Sequence, residues 1–143
     1  MKVLIDADAC PVTDLTISLC VKHNVPCYIV CDTAHEIRNP NAETIVVDKG
    51  ADSTDFAVAN RVNHGDIVIT QDYGLASMCL AKGGIVLHQD GWPYNDDNIG
   101  ALLLQRHENK KYRKSGGHLK GTRKRNRQQD IAFQLALQTL LQG

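Results

Sequence analysis

The feature that most constrains this chain is a repeated pairing of a short apolar run with an aspartate at or just beyond its end. The runs are residues 2–5, 26–31, 43–47, 66–70 and 85–88, and the aspartates are Asp6, Asp32, Asp48, Asp72 and Asp90. The runs are rich in Val and Ile and show little alternation of apolar with polar residues. Such strands are buried on both faces, which implies a parallel sheet covered by helices on each side.

The intervening segments supply those helices. Residues 12–23 follow Pro11, which suits a first helical turn. Ser53 is expected to cap a helix running through Phe56, Ala57, Ala59 and Val62 towards Asn63. Residues 73–82 put Leu75, Ala76, Cys79 and Leu80 on one stripe and stop at Gly83-Gly84. Residues 32–42, with His35, Arg38 and Asn39-Pro40, read as a loop. Residues 95–111 predict a further helix, with Ile99, Leu102, Leu103 and Arg106 towards its inner side, and residues 128–141 predict a last helix. The expected fold is α/β: one Rossmann-like, three-layer domain over residues 1–143, with a mostly parallel five-stranded sheet. A basic loop or extension is expected at about residues 106–127.

No apolar run approaches the roughly 20 residues that span a bilayer. An acidic residue at position 6 comes too early for a secretory signal, so the expectation is a cytoplasmic protein without membrane partners. Five cysteines without CxxC spacing read as buried, reduced thiols. The formal net charge of zero conceals a division. Residues 106–127 hold ten basic side chains and one acidic, whereas the remainder holds six basic and fifteen acidic. A segment so dense in charge favours a polyanionic partner. Its candidates for nucleic-acid contact are Lys110, Lys111, Arg113, Lys114, Lys120, Arg123, Lys124, Arg125 and Arg127, set around Ser115-Gly116-Gly117-His118 with Tyr112 nearby. Trp92, Pro93 and Tyr94 read as a packing corner.

In an open parallel sheet the ligand crevice lies beyond the carboxyl ends of the strands. Asp8, Asp14, Asp52 and Asp55 add to the aspartates there, and Asp52 and Asp55 are spaced to share a direction near a helix start. Carboxylates that converge repel one another unless a cation compensates, and hard oxygen ligands select Mg²⁺, Mn²⁺ or Ca²⁺. Aspartate also punctuates turns, which is the favoured reading of Asp32, Asp48 and Asp90. Asp14 is expected as a first-turn dipole partner and Asp66 as a structural residue.

Three stretches carry a family resemblance: Asp6-Ala7-Asp8-Ala9-Cys10-Pro11-Val12, Gly50-Ala51-Asp52-Ser53-Thr54-Asp55, and residues 65–76 with Thr70-Gln71-Asp72-Tyr73-Gly74. Together with the basic stretch around Gly116-Gly117, they resemble the YaiI/YqxD family of uncharacterised bacterial proteins, related to PIN-like nuclease domains. The resemblance implies a PIN-like sheet whose acidic residues bind one or two Mg²⁺ or Mn²⁺ ions. By that resemblance Asp6, Asp55 and Asp72 are catalytic metal ligands, with Asp8 and Asp52 also at the metal. The further acidic residue that many PIN domains carry after the Thr-x-Asp element is missing, since Tyr73-Gly74-Leu75-Ala76 follows.

The leading expectation is therefore a Mg²⁺- or Mn²⁺-dependent phosphodiesterase, a nuclease acting on RNA or single-stranded nucleic acid. One alternative is a nucleic-acid-binding module without catalysis. Another is a haloacid-dehalogenase-like phosphatase using Asp6 as nucleophile, although the expected Thr or Val after the second Asp and a lysine station are both lacking.

Overall fold

The computed structural model describes residues 1–50, 52–119 and 124–143. Strands β1 (Val3–Asp6), β2 (Cys27–Asp32), β3 (Glu43–Val47), β4 (Ile67–Ile69), β5 (Ile85–Leu87) and β6 (Pro93–Tyr94) form one six-stranded sheet in the order β3-β2-β1-β4-β5-β6. The first five are parallel, and β6 runs antiparallel to β5. Among the described residues the helices are α1 (Thr13–Lys22), α2 (Ser53–Arg61), α3 (Tyr73–Ala81), α4 (Ile99–Lys114) and α5 (Arg127–Gln142). None of them is long and apolar enough to cross a membrane.

Alternate residues of each strand enter opposite cores, because side chains on a strand point to opposite faces in turn. Val3, Ile5, Ile29, Ile67 and Ile69 pack with Ile17 and Cys20 of α1 and with Phe133 and Leu137 of α5. Leu4, Val30, Val68 and Val86 pack with Val58 of α2 and with Leu75, Ala76 and Cys79 of α3. Asp6 follows Leu4 by two residues and Thr70 follows Val68 by two. Both side chains therefore face the α2–α3 side, and this parity makes a site on that face.

The chain winds outward from β1 to β3, then returns to the other side of β1 to lay down β4 and β5. The reversal puts the switch point between the carboxyl ends of β1 and β4, the place where open α/β sheets bind ligands.

Several expectations need correction. The sheet has six strands rather than five. A two-residue strand is too short to register as a pattern, and its proline is tolerated because β6 is an edge. The Trp92 corner is nevertheless a packing unit, with its ring stacked on His88 at a centroid distance of 4.3 Å. The Tyr94 hydroxyl donates to the Thr70 carbonyl at 3.2 Å. Ser53 does not cap α2; the cap position belongs to Asp52, and Ser53 is the first helical residue. The helix expected over residues 95–111 is α4, which starts at Ile99 and runs on through Lys114 into the basic stretch. It ends where the Gly116 and Gly117 amides donate to the carbonyls of Arg113 and Tyr112, with Gly116 at φ 93°. That conformation suits glycine and closes the helix.

All five cysteines are free, and four of them are buried. The last helix is anchored by Phe133, Leu137 and Leu141, one turn apart and all buried. A capping box between Asn126 and Gln129 sets its start. Truncating Phe133 to Ala is expected to lower unfolding free energy by about 3–4 kcal/mol in urea titrations.

Candidate functional site

Beyond the carboxyl ends of β1 and β4 lies a cavity of about 320 Å³, lined by Asp6, Asp8, Asp32, Gly50, Asp52, Thr54, Asp55, Gln71 and Asp72. All five residues expected at a metal are thus brought together. Asp32, read from the sequence as turn punctuation, joins them. It also makes its turn, accepting from the Ala34 amide at 2.9 Å and facing His35 Nδ1 at 3.0 Å. A strand-end Asp carries the same signal whether it serves a turn, a site or both.

The centre of the site is a short relay. The Thr70 hydroxyl donates to Asp6 Oδ2 at 2.8 Å, and the same Thr70 oxygen accepts from the Asp72 amide at 2.9 Å. Asp72 in turn caps α3, its Oδ1 accepting from the Leu75 amide at 3.0 Å. These bonds tie β1, β4 and α3 together at one point.

Asp55 sits in the first turn of α2, and Asp52 precedes that helix with φ 62°. This left-handed conformation is uncommon outside glycine, though Asp and Asn tolerate it best. The Asp52 carboxylate makes no capping bond and lines the cavity instead. Ala9, beside Asp8, is also left-handed at φ 53°. Two strained non-glycine residues flanking one cavity are the kind of backbone that clusters at ligand sites.

The electrostatics follow from this crowding. Burial pushes the Asp6 carboxyl up to about 6; the Thr70 hydrogen bond opposes that shift, and the charges of Asp72 and Asp8 reinforce it. Asp55 also rises to about 6, from burial first and then from Asp72, Asp6 and Asp52, with Arg106 pulling the other way. Among the described residues no three Asp, Glu, His or Cys side chains close around a single point tightly enough to enclose an ion. The donors still fit Mg²⁺ or Mn²⁺ chemically. They are hard oxygens, and Mg²⁺ is commonly held by one or two carboxylates with water and substrate phosphate completing its shell. No lysine is among the residues that line the cavity.

The remaining sequence candidates lie elsewhere. Asp48 is exposed and away from the cavity. Asp14 lies in the first turn of α1. Asp66 is buried and holds the Lys2 ammonium at 2.6 Å and the Asn63 amide at 2.8 Å. Lys110, Lys111, Arg113 and Lys114 project, exposed, from the last two turns of α4. Lys124 is exposed beyond it. Arg125 is committed within the protein, binding Asp90 at 2.6 Å, Asp130 at 2.7 Å and the Gln89 carbonyl at 2.7 Å. Arg127 opens α5. Lys120 and Arg123 lie outside the described residues.

The sequence profile described as "Uncharacterized BCR, YaiI/YqxD family" matches residues 4–143. The chain belongs to the YaiI/YqxD family. Among its YaiI/YqxD relatives, a UPF0178 protein of Exiguobacterium sibiricum is 47% identical over 141 residues, covering 99% of this chain and 96% of the relative. A UPF0178 protein of Ruminiclostridium cellulolyticum is 46% identical over 137 residues, covering 96% and 90%. One from Clostridium acetobutylicum is 41% identical over 143 residues, covering 99% and 97%. No solved structure matches the chain.

Proposed function

We propose that this YaiI/YqxD protein is a single PIN-like domain that hydrolyses phosphodiester bonds in RNA or single-stranded nucleic acid with the help of Mg²⁺ or Mn²⁺. The observation that carries the reading is the convergence of Asp6, Asp55 and Asp72 at the switch point of the sheet. Two of these carboxyls are pushed up to about 6 by burial and by their neighbours' charge. Crowded, half-desolvated carboxylates are costly, and a divalent cation removes the cost.

Asp6, Asp55 and Asp72 would hold the ion, with Asp8 and Asp52 binding its water shell. When bound, the ion neutralises phosphate charge and makes water more acidic. The protein's own contribution is orientation. Thr70 fixes the rotamer of Asp6, and the cap on α3 fixes Asp72. Lys110, Lys111, Arg113 and Lys114 on α4 supply non-specific affinity for a strand.

A binding module without catalysis is the second reading. The absence, among the described residues, of three side chains enclosing one point favours it.

Calorimetric titration of Mn²⁺ into the wild-type protein, beside cleavage assays on end-labelled single-stranded RNA and DNA, separates the two. Metal-dependent cleavage abolished by EDTA and restored by Mn²⁺ is expected. Strand binding with neither heat from millimolar Mn²⁺ nor cleavage would leave the binding module.

A further inference from the structure

Among the described residues, an arginine reaches a carboxylate on the wall of the acidic cavity. Arg106, on α4, places Nη1 3.4 Å from Asp72 Oδ1, and its charge is felt at Asp55 as well. The position directly beneath it is Gly74. A Cβ there would stand 2.8 Å from Arg106 Nη1 and 3.2 Å from Asp72 Oδ1. Gly74 is the second residue of α3 and has no positive φ, so backbone geometry does not call for glycine. The end of the guanidinium lies where a side chain at position 74 would stand.

The Arg106–Asp72 pair is long and its arginine is 57% exposed. An exposed ion pair of this kind contributes little stability and is readily exchanged for a better partner. A phosphate diester is such a partner, since guanidinium presents a planar fork of donors that matches its oxygens. Arg106 also heads a row. Lys110 follows one turn later, and Arg113 and Lys114 a turn beyond that, on neighbouring faces of α4 with a rise of about 6 Å per four residues. That step is suited to successive phosphates of an extended strand.

We infer that Arg106 is the phosphate-positioning residue of the site. It is released from Asp72 by the incoming backbone and holds the phosphate next to the carboxylates, while Lys110, Arg113 and Lys114 hold the phosphates that follow. Gly74 is the gap that lets the guanidinium lie there. The inference deepens the nuclease reading and rests on it for the identity of the strand. It adds a cation to a site so far described only by its acids. It also gives the strand a direction, from the cavity along α4 towards its C-terminus.

The test is fluorescence anisotropy of a short labelled oligouridylate in Ca²⁺ buffer over a range of salt, with wild type, Arg106→Gln, Arg106→Lys and Gly74→Ala. Thermal melts establish that each variant is folded. Arg106→Gln should weaken binding by about tenfold and reduce the slope of log affinity against log salt by about one. Arg106→Lys should keep the slope while losing part of the affinity. Gly74→Ala should weaken binding without removing a charge, because the new methyl displaces the flexible end of Arg106. Wild-type affinity and slope in both Arg106→Gln and Gly74→Ala would overturn the inference, as would a wild type that does not bind the oligonucleotide. Cleavage in Mn²⁺ is scored separately. If wild type fails to cut but binding still depends on Arg106, the nuclease reading falls and the assignment of Arg106 stands. If wild type cuts and Arg106→Gln binds and cuts equally well, the assignment falls and the nuclease reading stands.

Discussion

Asp6→Asn should abolish metal-dependent cleavage, lowering its rate by roughly 10³-fold, and at the same time raise the melting temperature of the metal-free protein at pH 7.5. The first effect has the scale of removing a principal charged contact to a transition state. The second follows from the cost of the charge that is removed. Asp6 titrates at about 6 rather than 3.8, chiefly because burial disfavours its ionised form. A shift of about two units corresponds to about 3 kcal/mol, reduced to about 1–2 kcal/mol by the solvent that still reaches the group. Asn is neutral and nearly the same shape, and its Oδ1 can still accept from the Thr70 hydroxyl. The Thr70 link to the Asp72 amide therefore survives. A gain of about 3–8 °C is expected in a thermal melt without metal. Opposite signs in the two assays distinguish a lost functional charge from a damaged fold. A variant that cuts like wild type, or one that loses both activity and stability, would contradict this account of Asp6.

How far such a site can be read from sequence depends on which physics sets each residue. The parallel sheet was legible because strands buried on both faces must be apolar throughout, and residues 27–31 and 67–69 are. Asp6 and Asp72 came to the cavity through the motifs of the family resemblance, the opening Asp-x-Asp and the Thr-x-Asp element, since a strand-end Asp alone does not separate a site from a turn. The strand β6 was not legible, since two residues carry no period; its pairing with β5 is accompanied by the Trp92–His88 stack. Asp32 makes the turn expected of it, and its further place on the cavity wall was hidden because both uses have one sequence signature. The basic segment was expected as helix only to residue 111, and α4 carries it three residues further; lysines and arginines near a helix C-terminus complement its dipole. Within that segment, charge alone could not separate Arg125, bound to Asp90 and Asp130, from its exposed neighbours. Arg106 needed the fold, because its partner is 34 residues away in the chain.

Lowering the pH from 7.5 to 5 should weaken Mn²⁺ binding by roughly a hundredfold. Asp6 and Asp55 both titrate at about 6, so at pH 5 each is mostly protonated, and a proton must leave each before it can bind a cation. Two such competitions, each worth about a factor of ten, multiply. Stability of the metal-free protein moves the other way. Between about 4 and 6 the folded protein holds protons on Asp6 and Asp55 that the unfolded chain has released, so these groups make unfolding easier as pH rises through that window. His88 acts in the opposite sense. Burial lowers its pKa, Asp90 counters that and Arg125 adds to it, and its contribution grows as the pH climbs towards 6.5. The difference between wild type and Asp6→Asn cancels His88 and leaves the Asp6 carboxylate together with its repulsion of Asp55. Melts at pH 5 and 7.5, with and without Mn²⁺, should therefore show a gap between variant and wild type that is present at 7.5 and shrinks at 5. Mn²⁺ should close that gap at 7.5 by stabilising wild type alone, since a ligand that binds only the folded state raises its melting temperature. A gap of equal size at both pH values would mean that Asp6 is ionised throughout, and the crowding of carboxylates on which the metal argument depends would be absent.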